Sequence, residues 1–224
     1  YHPELSPSLA WKRVFILGLF DGLGITHNRD PMIELGQDLF ERRASVNSPE
    51  ELIELARQRS GFAGSRHGER PLLLRWNRKG CRPPNRPEVR IEQAAELMWR
   101  VLATPLDTWF VRAPETLWAD LTGRLVVAPG IGEGRSGILY GVVFLPALYL
   151  LGSLFRSDRL RHRAFEIWKN YRTGIPPSLF TLYRNSEIPA RLYRRKLGAV
   201  YQLRHYCRPR RCQDCEVLQQ AISS

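Results

Sequence analysis

The chain has 224 residues, 43% of them hydrophobic, a formal net charge of +12 and four cysteines. That apolar fraction is enough for an ordinary buried core, which excludes a disordered chain, and four unevenly spaced cysteines exclude a secreted disulfide framework. With no signal-peptide pattern at Tyr1, reduced thiols and a cytoplasmic setting are expected, and a chain that opens on YHPELSPSLAW instead of Met is read as a piece of something longer.

The first sixty residues carry seven Lys/Arg and nine Asp/Glu. Within LSPSLAWKRVFILGLFDGLG, Ser6 before Pro7 gives a helix start, Leu9, Val14, Ile16, Leu17 and Phe20 form a broad apolar stripe, and Gly22 and Gly24 end it. Pro31 sits at a plausible first helical position. His27 to Asp30 reads as a capping turn. In SPEELIELARQR, Ser48 caps, Pro49 follows and Glu51 lies three positions on, so three consecutive helices are predicted. SGFAGSRHGER, residues 60–70, reads as a mobile loop because Gly and small polar residues bury little.

Arg66 to Arg90 holds eight basic and two acidic residues. Pro83, Pro84 and Pro87 force a rigid, extended approach to a helix over 88–102, whose core positions are Val89, Ala94, Leu97, Met98 and Val101. Arg82, Arg86 and Arg90 therefore stand on or beside a stiff turn at a helix N-terminus, where guanidinium groups and free N–H groups can meet a phosphate. Pairing with carboxylates is the structural alternative.

LVVAP, 125–129, is the best strand candidate and is short. GIGEGRSG, 130–137, lacks the Lys-Ser/Thr of a P-loop and reads as a linker. GILYGVVFLPALYLLGSLF, 137–155, has nineteen residues without a charge, a length that reaches across a bilayer. Pro146, three glycines and the lack of a second such segment favour a buried core helix instead. Arg156 to Arg172 has six basic and two acidic residues, and Arg184 to Arg211 nine and one. Helices are expected in DRLRHRAFEIWKNY, with Ala164, Ile167 and Trp168 inward, and in SEIPARLYRRKLGAVYQLRHYC, with Leu192, Leu197, Val200, Tyr201 and Leu203 inward.

The fold class that follows is mainly α, an irregular multi-helix bundle of roughly eight helices around a central apolar helix at about 138–155. Its expected parts are N-terminal helices (1–60), a basic loop and proline turn (61–87) and a helical core with a cysteine cluster (88–224), together one compact domain. The concentration of positive charge is the footprint of a nucleic-acid partner, DNA ahead of RNA. The residues expected to contact phosphates are Arg82, Arg86, Arg90, Arg194, Arg195 and Lys196. No membrane partner is expected.

HYCRPRRCQDC, 205–215, sets Cys207, Cys212 and Cys215 in a C-x4-C-x2-C pattern whose last step is a good chelating turn. Arg208, Arg210 and Arg211 would favour thiolates. His205 could complete a zinc site, and Cys81 an all-cysteine zinc or iron–sulfur site. Reduced thiols and a disulfide are the other readings. Four protein ligands leave no open position for substrate, so such a metal would pin a basic tail. No catalytic triad, paired catalytic carboxylates or HExxH motif is present, and no catalytic residue is assigned.

LFDGLGITHNRDPMIELGQDL, RWNRKGCRPPNRPEVRIEQAAEL, SGILYGVVFLPALYLLGS and YQLRHYCRPRRCQDC, in that order, resemble the C-terminal half of a bacterial domain-of-unknown-function family. Its longer members carry an N-terminal half similar to a PD-(D/E)XK nuclease core, to which nothing here corresponds. The family's Arg-Pro-x-Asn-x-Pro-x-x-Arg pattern falls on Arg82, Pro83, Asn85, Pro87 and Arg90, and its cysteines on Cys207, Cys212 and Cys215. It requires no Cys at 81 and no His at 205, so the resemblance counts against both as fourth ligand and opens a ligand from the other half as an alternative. It also implies a non-catalytic helical region of a nuclease-like protein that contacts nucleic-acid phosphates. The alternative is a scaffolding domain that binds an acidic partner or its own N-terminal half.

Overall fold

The computed structural model describes residues 4–24, 27–63, 70–79, 81–123, 125, 128–172, 180–193, 196–216 and 219. It is mainly α, with no strand among the described residues. Of LVVAP, residues 126 and 127 lie outside them. The chain divides into two compact units, Tyr1–Glu166 and Ile167–Ser224.

In the first unit, α1 (Pro7–Leu23) starts as its sequence predicts, with Ser6 Oγ accepting from the Leu9 N–H at 3.3 Å. Its buried face is Trp11, Phe15, Ile16, Leu19, Phe20 and Leu23, and Val14, expected inside, is 55% exposed. Positions 11, 15 and 19 share one helix face and 14 points away from it. α2 (Arg29–Glu41) begins two residues before Pro31. The Asn28 side chain does not cap it; its amide donates to Asn77 O (2.8 Å) and its oxygen accepts from Asn77 N (2.7 Å). α3 (Pro49–Arg59) carries the predicted cap, Ser48 Oγ to Glu51 N at 3.2 Å, and the Glu51 carboxylate reaches back to the Asn47 N–H at 2.8 Å.

An extended arm from Arg70 follows. Arg59 makes two 2.7 Å bonds to the Asp38 carboxylate and also donates to Arg70 O, while Trp76 Nε1 donates to Ser60 O at 2.9 Å. The arm thus lies against the C-terminal end of α3. A 3₁₀ turn (Pro83–Asn85) leads into α4 (Pro87–Ala103), with Pro87 at its first position. α5 (Thr108–Val111) and α6 (Pro114–Thr122) come next.

α7 (Glu133–Leu139), a π-helical segment (Tyr140–Phe144) and α8 (Leu145–Leu154) form one continuous apolar helix, Glu133–Leu154. By composition and length it could cross a membrane, yet it packs among the other helices with half of its most apolar window buried. α1 lies directly against it. A Cβ on Gly22 would stand 2.4 Å from Leu139 Cδ2 and one on Gly18 2.9 Å from Val143 Cγ1, so glycine at both positions lets the two helices touch. Trp11, Phe15, Trp109 and Phe144 meet with ring centroids 4.9–6.5 Å apart, and Trp11 Nε1 donates to Ala147 O at 2.7 Å. α9 (Asp158–Asn170) closes the unit with Leu160 and Ala164 buried and runs on into the second.

The second unit contains α10 (Thr181–Asn185), α11 (Ala190–Tyr193) and α12 (Leu197–Gln202), the last continued by a π-helical segment (Leu203–Cys207). The single long helix expected over 186–207 is broken near its start by Glu187, at φ 57°, and by Pro189, which has no N–H to donate. Phe180, Tyr183, Tyr193, Ala199 and Leu203 make its core, against which Val200 and Cys207 pack. Tyr201, expected inside, is 57% exposed and lies over the His205 ring at 4.3 Å.

Candidate functional site

The proline turn places its arginines differently. Arg82 and Arg86 are exposed and make no ion pair among the described residues. Their approach is held stiff on both sides, because Asn28 clamps Asn77 and Arg78 pairs with Glu88 in the first turn of α4. Arg78 also lies 4.9 Å over the Phe62 ring, which packs in turn against Trp76 in a tilted pair with centroids 5.5 Å apart. Arg75 and Lys79 are exposed on the same arm. Residues 70–79 and 81–86 therefore present Arg75, Lys79, Arg82 and Arg86 as exposed cations beside the contacts that Asn28, α3 and α4 make to this stretch.

Arg90 turns inward and is 6% exposed. Its Nη1 donates to Gln93 Oε1 at 2.8 Å and its Nη2 to Asn85 Oδ1, while Nε is buried without a hydrogen-bond partner among the described residues. Gln93 passes the connection on to the carbonyls of Pro129 (2.8 Å) and Gly130 (3.1 Å). Burial, and then the nearby Arg135 guanidinium, pull the Arg90 pKa down to about 10. Arg90 thus knits the turn to the loop before the central helix and presents no charge to solvent. Of the remaining predicted contacts, Arg194 and Arg195 lie outside the described residues, and Lys196 is half-buried in the second unit.

Lys196 lines a recess of about 370 Å³ with Leu197, Gly198 and Ala199 on one side and Trp168, Lys169, Tyr171 and Arg172 on the other. Trp168 was expected to be a core residue of α9 and is only half-buried. No sequence motif announces this grouping beyond WKNYR, 168–172, which interleaves aromatic and cationic residues. Arg172 is exposed and donates from Nη1 to the carbonyls of Lys169 (3.1 Å) and Tyr171 (3.0 Å).

The cysteines are unequal. Cys212 is exposed, Cys207 half-buried and Cys215 buried, with Gln202 Nε2 donating to Cys215 Sγ at 3.6 Å. Burial pushes the Cys207 thiol up, against a hydrogen bond with Tyr183 that lowers it. The thiolate-favouring effect expected of Arg208, Arg210 and Arg211 does not dominate there; Arg211 is paired with Asp214 at 3.0 Å. Cys81, in the first unit, lies 3.7 Å from Asn77 O. Among the described residues no three His, Cys, Asp or Glu side chains converge closely enough to hold a metal ion.

Fold and site together define a mainly helical chain with a rigidly held basic turn and a separate recess of mixed aromatic and cationic lining. Compared with family models, curated proteins and solved structures, the chain has no match. The likeness to a bacterial family remains an expectation from its motifs.

Proposed function

We propose that the chain is a non-catalytic, helical nucleic-acid-binding region that contacts backbone phosphates through its basic turn. The observation that carries this is the state of Arg82 and Arg86: exposed, without ion pairs among the described residues, and fixed on a proline turn whose two flanks are clamped. Long cationic side chains on a stiff backbone lose little freedom on meeting a phosphate. Arg90 supports that turn from inside.

Fluorescence anisotropy with labelled mixed-sequence DNA at low salt tests this. Arg82→Ala and Arg86→Ala should each weaken binding evenly across sequences and lower the salt slope by roughly 1. Unchanged affinity and slope in the double variant would remove the turn from the interface.

A second reading, a protein-interaction domain, is favoured by Val142, Tyr149 and Leu154, which are 45%, 44% and 51% exposed on the central helix. A stable complex with a nuclease-like N-terminal half, together with no nucleic-acid binding at low salt, would decide for it.

A further inference from the structure

Local backbone geometry pairs two of the three cysteines of the second unit. Cys212–Asp214 is a 3₁₀ turn, closed by the Cys215 N–H donating to Cys212 O at 3.1 Å. In such a turn side chains three positions apart eclipse, and a rise of about 2.0 Å per residue sets their Cα atoms roughly 6 Å apart, inside the span of roughly 4.4–6.8 Å that a disulfide bridges. Cys207 instead packs against the core of Phe180, Tyr183 and Leu203, with a hydrogen bond to Tyr183. The paired cysteines differ in access. Cys212 is exposed, where a second molecule can reach it, and Cys215 is buried. Gln202 Nε2 donates to Cys215 Sγ at 3.6 Å. The Tyr183 hydroxyl donates to Gln202 Oε1 at 3.2 Å, which fixes the end of the amide that faces the sulfur.

We propose that Cys212 and Cys215 form a dithiol site that reduces a small or peptide disulfide by thiol–disulfide exchange, entered at Cys212. Nothing in this chemistry requires nucleic acid. The Cys212 thiolate attacks one sulfur of the substrate disulfide, the substrate S–S bond breaks, and the first substrate thiol leaves with the proton that Cys212 gave up. Cys215, deprotonated in turn, attacks Cys212 Sγ. The mixed disulfide then breaks, the Cys212–Cys215 bond forms, and the second substrate thiol leaves with the other proton. An electron pair passes from the protein dithiol to the substrate, which is reduced to its thiols while the pair is oxidised. Gln202 is a positioning residue, because its amide holds the Cys215 sulfur and meets no substrate.

In the experiment the full chain, reduced and desalted under nitrogen, is mixed with glutathione disulfide. Free thiols are trapped with iodoacetamide at successive times and the peptides mapped by mass spectrometry. The expected product is a Cys212–Cys215 disulfide with glutathione released, reached through a transient glutathione adduct on Cys212. Cys215→Ser should leave that adduct standing, and Cys212→Ser, a change at an exposed position, should abolish exchange at the pair. Gln202→Leu should leave the first step unchanged and slow closure roughly 2- to 10-fold, so that the adduct accumulates, which a residue that only stabilised the fold would not cause. No reaction, a lasting adduct on Cys212 in the unaltered chain, or a disulfide that engages Cys207 would each overturn the pair as an exchange site. Zinc or iron held stoichiometrically by the three cysteines of the purified chain would overturn it as well. If Cys215→Ser unfolds by circular dichroism, the unaltered chain and Cys212→Ser decide.

Discussion

Lys12 stands on the buried face of α1 between Trp11 and Phe15, 9% exposed, and its ammonium donates to Leu102 O and Thr104 O, each at 2.8 Å. These are the free carbonyls at the C-terminal end of α4, where a cation meets the negative end of the helix dipole. Lys12→Met keeps the apolar stem and strands both carbonyls, so it should destabilise by about 1–3 kcal/mol in urea denaturation. Burial pulls the Lys12 pKa below 10.5. Between that lowered value and 10.5 the unfolded chain binds more protons than the folded one, so Lys12 makes stability rise with pH there, and Lys12→Met should remove that rise. The cysteines give a second residue-scale test. With Cys212 exposed, Cys207 half-buried and Cys215 buried, iodoacetamide should label them in that order, followed by mass spectrometry. Protection of all three, with stoichiometric zinc or iron by elemental analysis, would contradict the placement of Cys212 and establish the metal site.

Two helix starts were legible because Ser6–Pro7 and Ser48–Pro49 act through local chemistry that no tertiary contact has to supply, whereas Pro87, read as part of the extended approach, is the first residue of α4, and α2 begins two residues ahead of Pro31. Two short elements were not. α5 and α6, four and nine residues long, are too brief to show a helical period, although they bring Trp109 and Trp118 into the aromatic core. Between α8 and α9 the chain turns through Arg156 at φ 54°, closed by Ser157 N to Gly152 O at 2.8 Å, a helix ending that favours glycine at the left-handed position. A Cβ on Gly152 would stand 2.8 Å from Arg161 N, backbone that cannot move without shifting α9. Gly152→Ala should therefore lower stability by about 1–3 kcal/mol, and Arg156→Gly should raise it by up to about 1 kcal/mol. Thermal unfolding of the pair reads both signs; a stabilising Gly152→Ala would contradict this close approach.

For the whole molecule, the charge pattern located basic stretches but not which cations face water. Arg90 could have been placed from its spacing to Ala94, Leu97 and Val101, which puts it on the buried stripe of α4. Its partners Asn85, Gln93 and the Pro129 carbonyl are set by the fold and carry no motif. The recess was legible only as WKNYR, since Lys196 and Gly198 reach it from a separate helix start. The proposed function places phosphates on exposed cations of a preformed turn. Its most direct test is the affinity of the unaltered chain for mixed-sequence DNA, measured from low to physiological salt. The prediction is measurable binding at low salt whose logarithm falls linearly with the logarithm of salt concentration, with a slope of roughly −2 or steeper. Undetectable binding at low salt, or affinity indifferent to salt, would contradict it.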